Sequence, residues 1–174
     1  MSKKGTLEKR ALSFWGNKMR HQERIVFGRE FPDEYVQRYL KQKGFAISLK
    51  KGLYLLSKQD ESFEDLFYPS YWQIVEKFLS AYLPWSAEKE PALKFLTGEE
   101  SIPLTFYVRT KRYVRYIVPL PNGLHIVIRP DPSFHENTAF PLKKNGVTLY
   151  CDIPEKVLFA IKKRASLDFS AFLK

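Results

Sequence analysis

Five polar side chains of this sequence are spaced to act together: Gln37, Arg38 and Lys41 in PDEYVQRYLKQKG, and Lys50 and Lys51 in AISLKKGLYLL. Gln, Arg and Lys can hydrogen-bond purine edges in the major groove, and Lys also neutralises phosphate. Residues 32–56 read as a short helix running into a β-hairpin. Asp33 and Glu34 stand where negative charge suits a helix start, and Gly44 closes the helix. Val36 and Leu40 recur on one face, which turns Gln37, Arg38 and Lys41 to the other. Residues 45–49 alternate apolar with small or polar, Lys50-Lys51-Gly52 turns, and 53–56 return as a second strand. A helix followed by a hairpin with a basic tip is how a winged-helix module meets DNA, with the helix in the major groove and the tip over phosphates. An ordinary αββ corner with solvated lysines has the same local pattern, and this segment alone leaves both open.

A second cationic run lies at 109–116, where Arg109, Lys111, Arg112 and Arg115 interleave with Tyr113 and Tyr116. On a strand or hairpin, Lys111, Tyr113 and Arg115 would share one face and Arg112, Val114 and Tyr116 the other. Such a face suits phosphate contact, base stacking or a protein partner. A sheet edge guarded by charge against aggregation reads the same way.

Catalytic patterns are few. His21, His125 and His135 are far apart, and no H-E-x-x-H, P-loop, G-x-G-x-x-G or G-x-S-x-G occurs. His21-Gln22-Glu23 matches the H-x-E half of a zinc deaminase without its P-C-x-x-C half. A metal-dependent nuclease needs clustered carboxylates, and the strand region offers only Asp131, Glu136, Asp152 and Glu155. The expectation is a protein that is not an enzyme, with no cofactor and no metal. His125 reads as a structural histidine within a strand, and Cys151 as a small core or edge residue.

The elements that must position these groups follow from periodicity. The chain has 174 residues, 44% hydrophobic and 16% aromatic, enough to bury one large or two small cores. Leu7, Ala11, Phe14 and Trp15 place an amphipathic helix over 6–20, whereas RIVFGREF (24–31) is ambiguous between a strand and a short helix broken at Gly28. The polar, acidic stretch 57–69 reads as a connector. Helices are expected over 71–82 and, capped by Ser86, over 87–96. From Ile102 the period becomes two, with hairpin turns at Pro121-Asn122-Gly123 and Asn145-Gly146 and a last helix opening at Pro154. Another helix begins at Ser166 and stops, so a longer parent protein is an open reading. The expected fold class is α+β: a winged-helix-like DNA-binding domain over 1–60, then an α+β domain over 61–174 with a small, mostly antiparallel sheet.

Charge follows that division. Residues 1–60 hold 14 Lys/Arg against 6 Asp/Glu, and residues 61–174 hold 15 against 13. A basic head on a nearly neutral body suits a polyanion-binding module. No apolar run nears the roughly 18 residues of a membrane span, and the basic N-terminus lacks a signal-peptide core. With one cysteine and hence no internal disulfide, the expected location is cytoplasmic.

In order and content these segments resemble the AbiEi-like antitoxins of bacterial type IV toxin–antitoxin systems. The N-terminal likeness rests on YLKQKGFAISLKKGLYLL (39–56), with Lys43-Gly44-Phe45 and Lys51-Gly52-Leu53-Tyr54 at the family's helix end and wing. The C-terminal likeness rests on Ser86 to Leu93 with Gly98 following, on IPLTFYVRTKR (102–112), and on VTLYCDIPEKVLFAIKKR (147–164), where Pro154, Glu155, Lys156 and Leu158 match. The resemblance spans about residues 32–165. Two features depart from it: Ala160 or Ile161 stands where an Asp is usual, and no clear helix lies between the one at 6–20 and the one at 33–43.

The resemblance implies a winged helix plus an α+β domain in a repressor of its own operon that antagonises a nucleotidyltransferase-like toxin. Its partners would be double-stranded operator DNA, bound as a homodimer, and the toxin protein, with no membrane. In that reading Gln37, Arg38 and Lys41 approach bases, and Lys50 and Lys51 contact phosphate. The alternatives are a protein-interaction adaptor, using an aromatic surface of Tyr71, Trp72, Tyr82 and Trp85, and a metal-dependent nuclease on the same basic surface.

Overall fold

A computed structural model describes residues 3–82, 84–88, 95, 102–111, 115–134 and 139–151. Their contacts divide the chain into two units, residues 1–74 and 75–174, a division that falls within a helix.

The first unit opens with helix α1 (Lys3–Arg20), which presents Ala11 with Leu7, Phe14, Trp15 and Met19 to one core. The ambiguous stretch 24–31 is both things in succession. Strand β1 (Ile25–Phe27) runs into a single 3-10 turn, Gly28–Glu30, and stops at the extended Phe31 before Pro32. Glu30 holds that turn by accepting from the Phe27 N–H at 2.6 Å and from Lys18 Nζ at 3.1 Å. Helix α2 (Glu34–Gln42) then buries Val36 and Leu40. Strands β2 (Ala46–Lys50) and β3 (Leu53–Leu56) form the hairpin, and the sheet order is β1-β3-β2, antiparallel throughout.

β3 is the middle strand, and all four of its residues are buried. Tyr54 pairs across to Val26 on one side and Ser48 on the other. Tyr54 and Leu56 join Ala11, Val26, Phe31, Val36, Leu40 and Ala46 in one cluster. The end of β3 is fastened: Trp15 Nε1 donates to the Ser57 carbonyl at 3.0 Å, and Ser57 Oγ donates to the Gly44 carbonyl at 2.7 Å.

Helix α3 (Phe63–Leu79) occupies much of what reads as a connector in the sequence. Ser62 starts it, accepting from the Asp65 N–H at 3.2 Å and donating to the Asp65 carboxylate at 2.6 Å. Glu64 and Asp65 in the first turn suit the helix dipole. Pro69 lies inside the helix and costs it one backbone bond without ending it.

In the second unit, strands β4 (Trp85–Ala87), β5 (Thr105–Thr110), β6 (Tyr116–Pro119), β7 (His125–Pro130), β8 (Phe140–Lys144) and β9 (Val147–Cys151) form a sheet of order β6-β7-β5-β4-β9-β8. The β5–β7 and β4–β9 pairs are parallel and the other three antiparallel. The class is therefore α+β, with a mixed six-stranded sheet among the described residues where a small one was expected. Both expected turns form with the backbone their residues favour: Asn122 and Gly123 at φ 59° and 72°, and Asn145 and Gly146 at 50° and 77°.

Ser86 is not a helix cap. It is fully buried in the middle of β4, whose pairing with β5 and β9 overrides the local cap signal. Phe95 is helical, but 89–94 and 96 of the helix expected over 87–96 lie outside the described residues, as do the segments at 152–164 and 166–174. Among the described residues no helix is long and apolar enough to cross a membrane.

If β3 organises the first unit, truncating its fully buried Leu55 should cost about 2–5 kcal/mol, the range for a large-to-small change in a packed core. Urea denaturation of Leu55→Ala against the half-buried Ile47→Ala checks this, and Ile47→Ala should cost clearly less.

Candidate nucleic-acid interface

The polar face of α2 is set by its own core residues. With Val36 and Leu40 turned inward, a helix of about 100° per residue places Glu34, Gln37, Arg38, Lys41 and Gln42 on the opposite side. These five residues line one hollow together with Tyr54 of β3. Arg38 and Lys41 are exposed and Gln37 is half-buried. The Lys41 ammonium lies 5.9 Å from the Tyr54 ring centroid, which steers it along the hollow. The three helix residues expected from the sequence are thus brought together. Glu34, Gln42 and Tyr54 were not expected there, although the i, i+3, i+4, i+7, i+8 spacing from Glu34 already carries the first two.

The start of α2 is held firmly. Asp33, in extended backbone at φ −164°, accepts from the N–H groups of Tyr35 and Val36, both at 2.9 Å, and pairs with Arg10 of α1. The Val36 bond, with Arg10 and the Tyr35 N–H, holds its carboxyl below the usual range against slight desolvation. Phe45 N–H donates to the Leu40 carbonyl at 2.8 Å as the chain leaves the helix for β2.

The hairpin tip places the two lysines differently. Lys51 is exposed, whereas Lys50 is half-buried beside a bulge between Ser48 and Lys50, with Nζ 3.3 Å from the Lys51 carbonyl. Gly52 turns the chain at φ 83° and accepts at its carbonyl from the Gly28 N–H at 2.8 Å, so the tip is tied to the 3-10 turn.

Electrostatics within the first unit are uneven. Glu23 and Glu30 bond Lys18, Asp33 bonds Arg10, Glu61 bonds Arg24 at 2.9 Å, and Glu8 hydrogen-bonds the Tyr39 hydroxyl. Counted over residues 1–74, the balance is 14 Lys/Arg against 9 Asp/Glu, because Glu61, Glu64 and Asp65 belong to this unit. The basic excess is therefore smaller than a boundary at residue 60 suggests, and its distribution over the surface matters more than its size.

The second cationic run is divided by the fold. β5 and β6 are not neighbours, since β7 lies between them, so Arg109 and Arg115 do not lie on adjacent strands. Lys111 sits in a bend and Arg115 before β6, both exposed, while Arg112 lies outside the described residues. Arg109 is half-buried and pairs with Asp131 at 3.3 Å. Asp131 also accepts from the Ser133 hydroxyl at 2.5 Å and from its N–H at 2.9 Å, and these bonds with Arg109 lower its pKa against slight desolvation. That carboxylate is thus engaged by neighbours, and Asp152 and Glu155 lie outside the described residues. Among the described residues no three His, Cys, Asp or Glu gather to hold a metal ion. Cys151 is buried in β9, and His125 is half-buried in β7.

The aromatic surface behind the adaptor alternative does not form as expected. Tyr71 and Trp85 are buried and Trp72 is half-buried, because α3 and β4 carry them into cores. The Tyr82 side chain is outside the described residues. Among the described residues of the second unit, the large apolar side chains that are exposed are Leu104, Tyr116 and Ile117.

The chain matches no protein-family model and no curated protein.

Two measurements test how the interface is held. Asp33→Ala should lower the melting temperature and Asp33→Asn should recover most of it, because Asn still accepts from both N–H groups. Asp33's folded pKa lies below its unfolded value near 3.8, so its contribution is full above that value and is lost as pH falls through the folded one. The wild-type melting temperature should then drop more steeply below about pH 4 than that of Asp33→Asn. Separately, Gly52→Ala should destabilise the unit by about 1 kcal/mol or more in urea denaturation, since alanine is strained at that φ.

Proposed function

We propose that the first unit is a winged-helix DNA-binding module and that the chain is a cytoplasmic, AbiEi-type transcriptional regulator acting on its own operon. The observation that supports this best is the β1-β3-β2 sheet, with α1 before it and a capped helix leading directly into the β2–β3 hairpin. That is the element order of a winged helix in which one 3-10 turn stands where a helix usually precedes the recognition helix.

In this reading α2 enters the major groove with Gln37, Arg38 and Lys41 toward the bases. Arg38 suits the O6/N7 edge of guanine, and Gln37 the N6/N7 edge of adenine. Lys50 and Lys51 lie over backbone phosphates, which position the helix and add no sequence information. Glu34, on the same stripe, repels phosphate and accepts only from a base donor such as cytosine N4, so it favours a seated register over sliding. The second unit would meet a toxin partner, and the exposed Leu104, Tyr116 and Ile117 are the apolar groups such a contact would use.

Replacing Lys50 and Lys51 together by Ala should weaken binding to any duplex roughly tenfold near 0.1 M salt and flatten the salt slope by about 1.8. Arg38→Ala should instead erode discrimination between the operator and a scrambled duplex by about 1–3 kcal/mol. Anisotropy titrations at two salt concentrations separate the two effects. A Lys50/Lys51 variant with unchanged affinity and slope removes the hairpin from the mechanism.

A further inference from the structure

We infer that α1 carries a second backbone-phosphate surface, on which Lys9, Ser13, Asn17 and Arg20 contact the same duplex beyond the segment read by α2; this rests on the DNA-binding reading above. The four residues recur at i, i+4, i+8 and i+11, so they form one stripe on the side of α1 away from Ala11, Leu7 and Trp15. With Arg10, Pro32 and the half-buried Phe14 they line a single groove. The stripe is about 16 Å long at ~1.5 Å per residue, long enough to meet more than one phosphate of a strand, since these rise ~3.4 Å each along the duplex axis.

Lys9 and Arg20 differ from the paired cations around them. Arg10, Lys18 and Arg24 are matched to Asp33, to Glu23 and Glu30, and to Glu61. The one acid of α1, Glu8, is bonded to Tyr39. Among the described residues no carboxylate pairs with Lys9 or Arg20, and no acid lines the groove. Ser13 and Asn17 between them are exposed, short and able to donate, as backbone-contacting side chains do. Pro32, at the groove's edge, immediately precedes Asp33, and Asp33 is bonded to Arg10. The groove therefore adjoins the start of α2, and a duplex seated on that helix continues onto α1.

The test uses the full chain with Lys9→Ala/Arg20→Ala, leaving Arg10 in place because it supports Asp33. Binding to a duplex of about 30 base pairs should weaken about tenfold near 0.1 M salt, with the slope reduced by about 1.8. Lys9→Arg/Arg20→Lys should restore it, and the melting temperature should stay at the wild-type value. A control removing the exposed Lys58 and Lys143 lowers net charge equally and should change little. If the α1 variant binds as wild type while Lys50→Ala/Lys51→Ala weakens binding, the inference fails and the DNA-binding reading stands. If the control weakens binding as much as the α1 variant, net charge and not the groove is responsible, and the inference fails. If neither the α1 nor the hairpin variant alters binding, the DNA-binding reading itself fails.

Discussion

Strand β3 is hydrogen-bonded along both edges and buried along its whole length, and the surface chemistry of the first unit depends on it. Through β1 it connects to the 3-10 turn and the start of α2, and through β2 to the end of α2 and the hairpin tip. Its Tyr54 reaches the hollow beneath the polar face of α2, while Phe31 packs edge-on against the same ring at 5.4 Å. A central strand fixed on both sides leaves little freedom to the helix and turn beside it. Preorganisation of this kind fixes the backbone from which the polar side chains project, so only their own rotamers order on contact.

Much of this could be read from the residues. The α2–β2–β3 segment follows from Asp33, the Val36/Leu40 pair, Gly44 and Gly52, because cap, period and turn signals agree there and are all local. The turns at Asn122-Gly123 and Asn145-Gly146 follow for the same reason. Stretches whose conformation is decided by distant partners were not legible. Trp85-Ser86-Ala87 carries a serine followed by good helix formers, yet pairing with residues near 109 and 151 makes it a strand. The insertion of β7 between β5 and β6 left no mark on the chain, so the cationic run 109–116 looked continuous and is not. Ser62 with Asp65 was a readable helix start that the acidic composition around it obscured, and Pro69 further disguised the helix.

The candidate site was legible in part. Spacing identified Gln37, Arg38 and Lys41 because a helix face is a local property. It did not identify Tyr54, which arrives from another strand, or the difference between Lys50 and Lys51, which a bulge creates. Nor did it reveal the groove on α1. Seeing that no carboxylate among the described residues pairs with Lys9 or Arg20 requires knowing which acids are taken by Lys18, Arg10, Arg24 and Tyr39, and those pairings span up to 37 residues. Charge totals conceal this, since paired and unmatched cations count alike.

The central claim, that the first unit reads duplex DNA, is tested most directly by anisotropy titration of the wild-type chain with DNA from upstream of its own gene against a scrambled duplex, at two salt concentrations. The account predicts tighter binding to its own sequence, with a preference that persists as salt weakens both. Equal, weak binding to the two duplexes that vanishes with salt would contradict it.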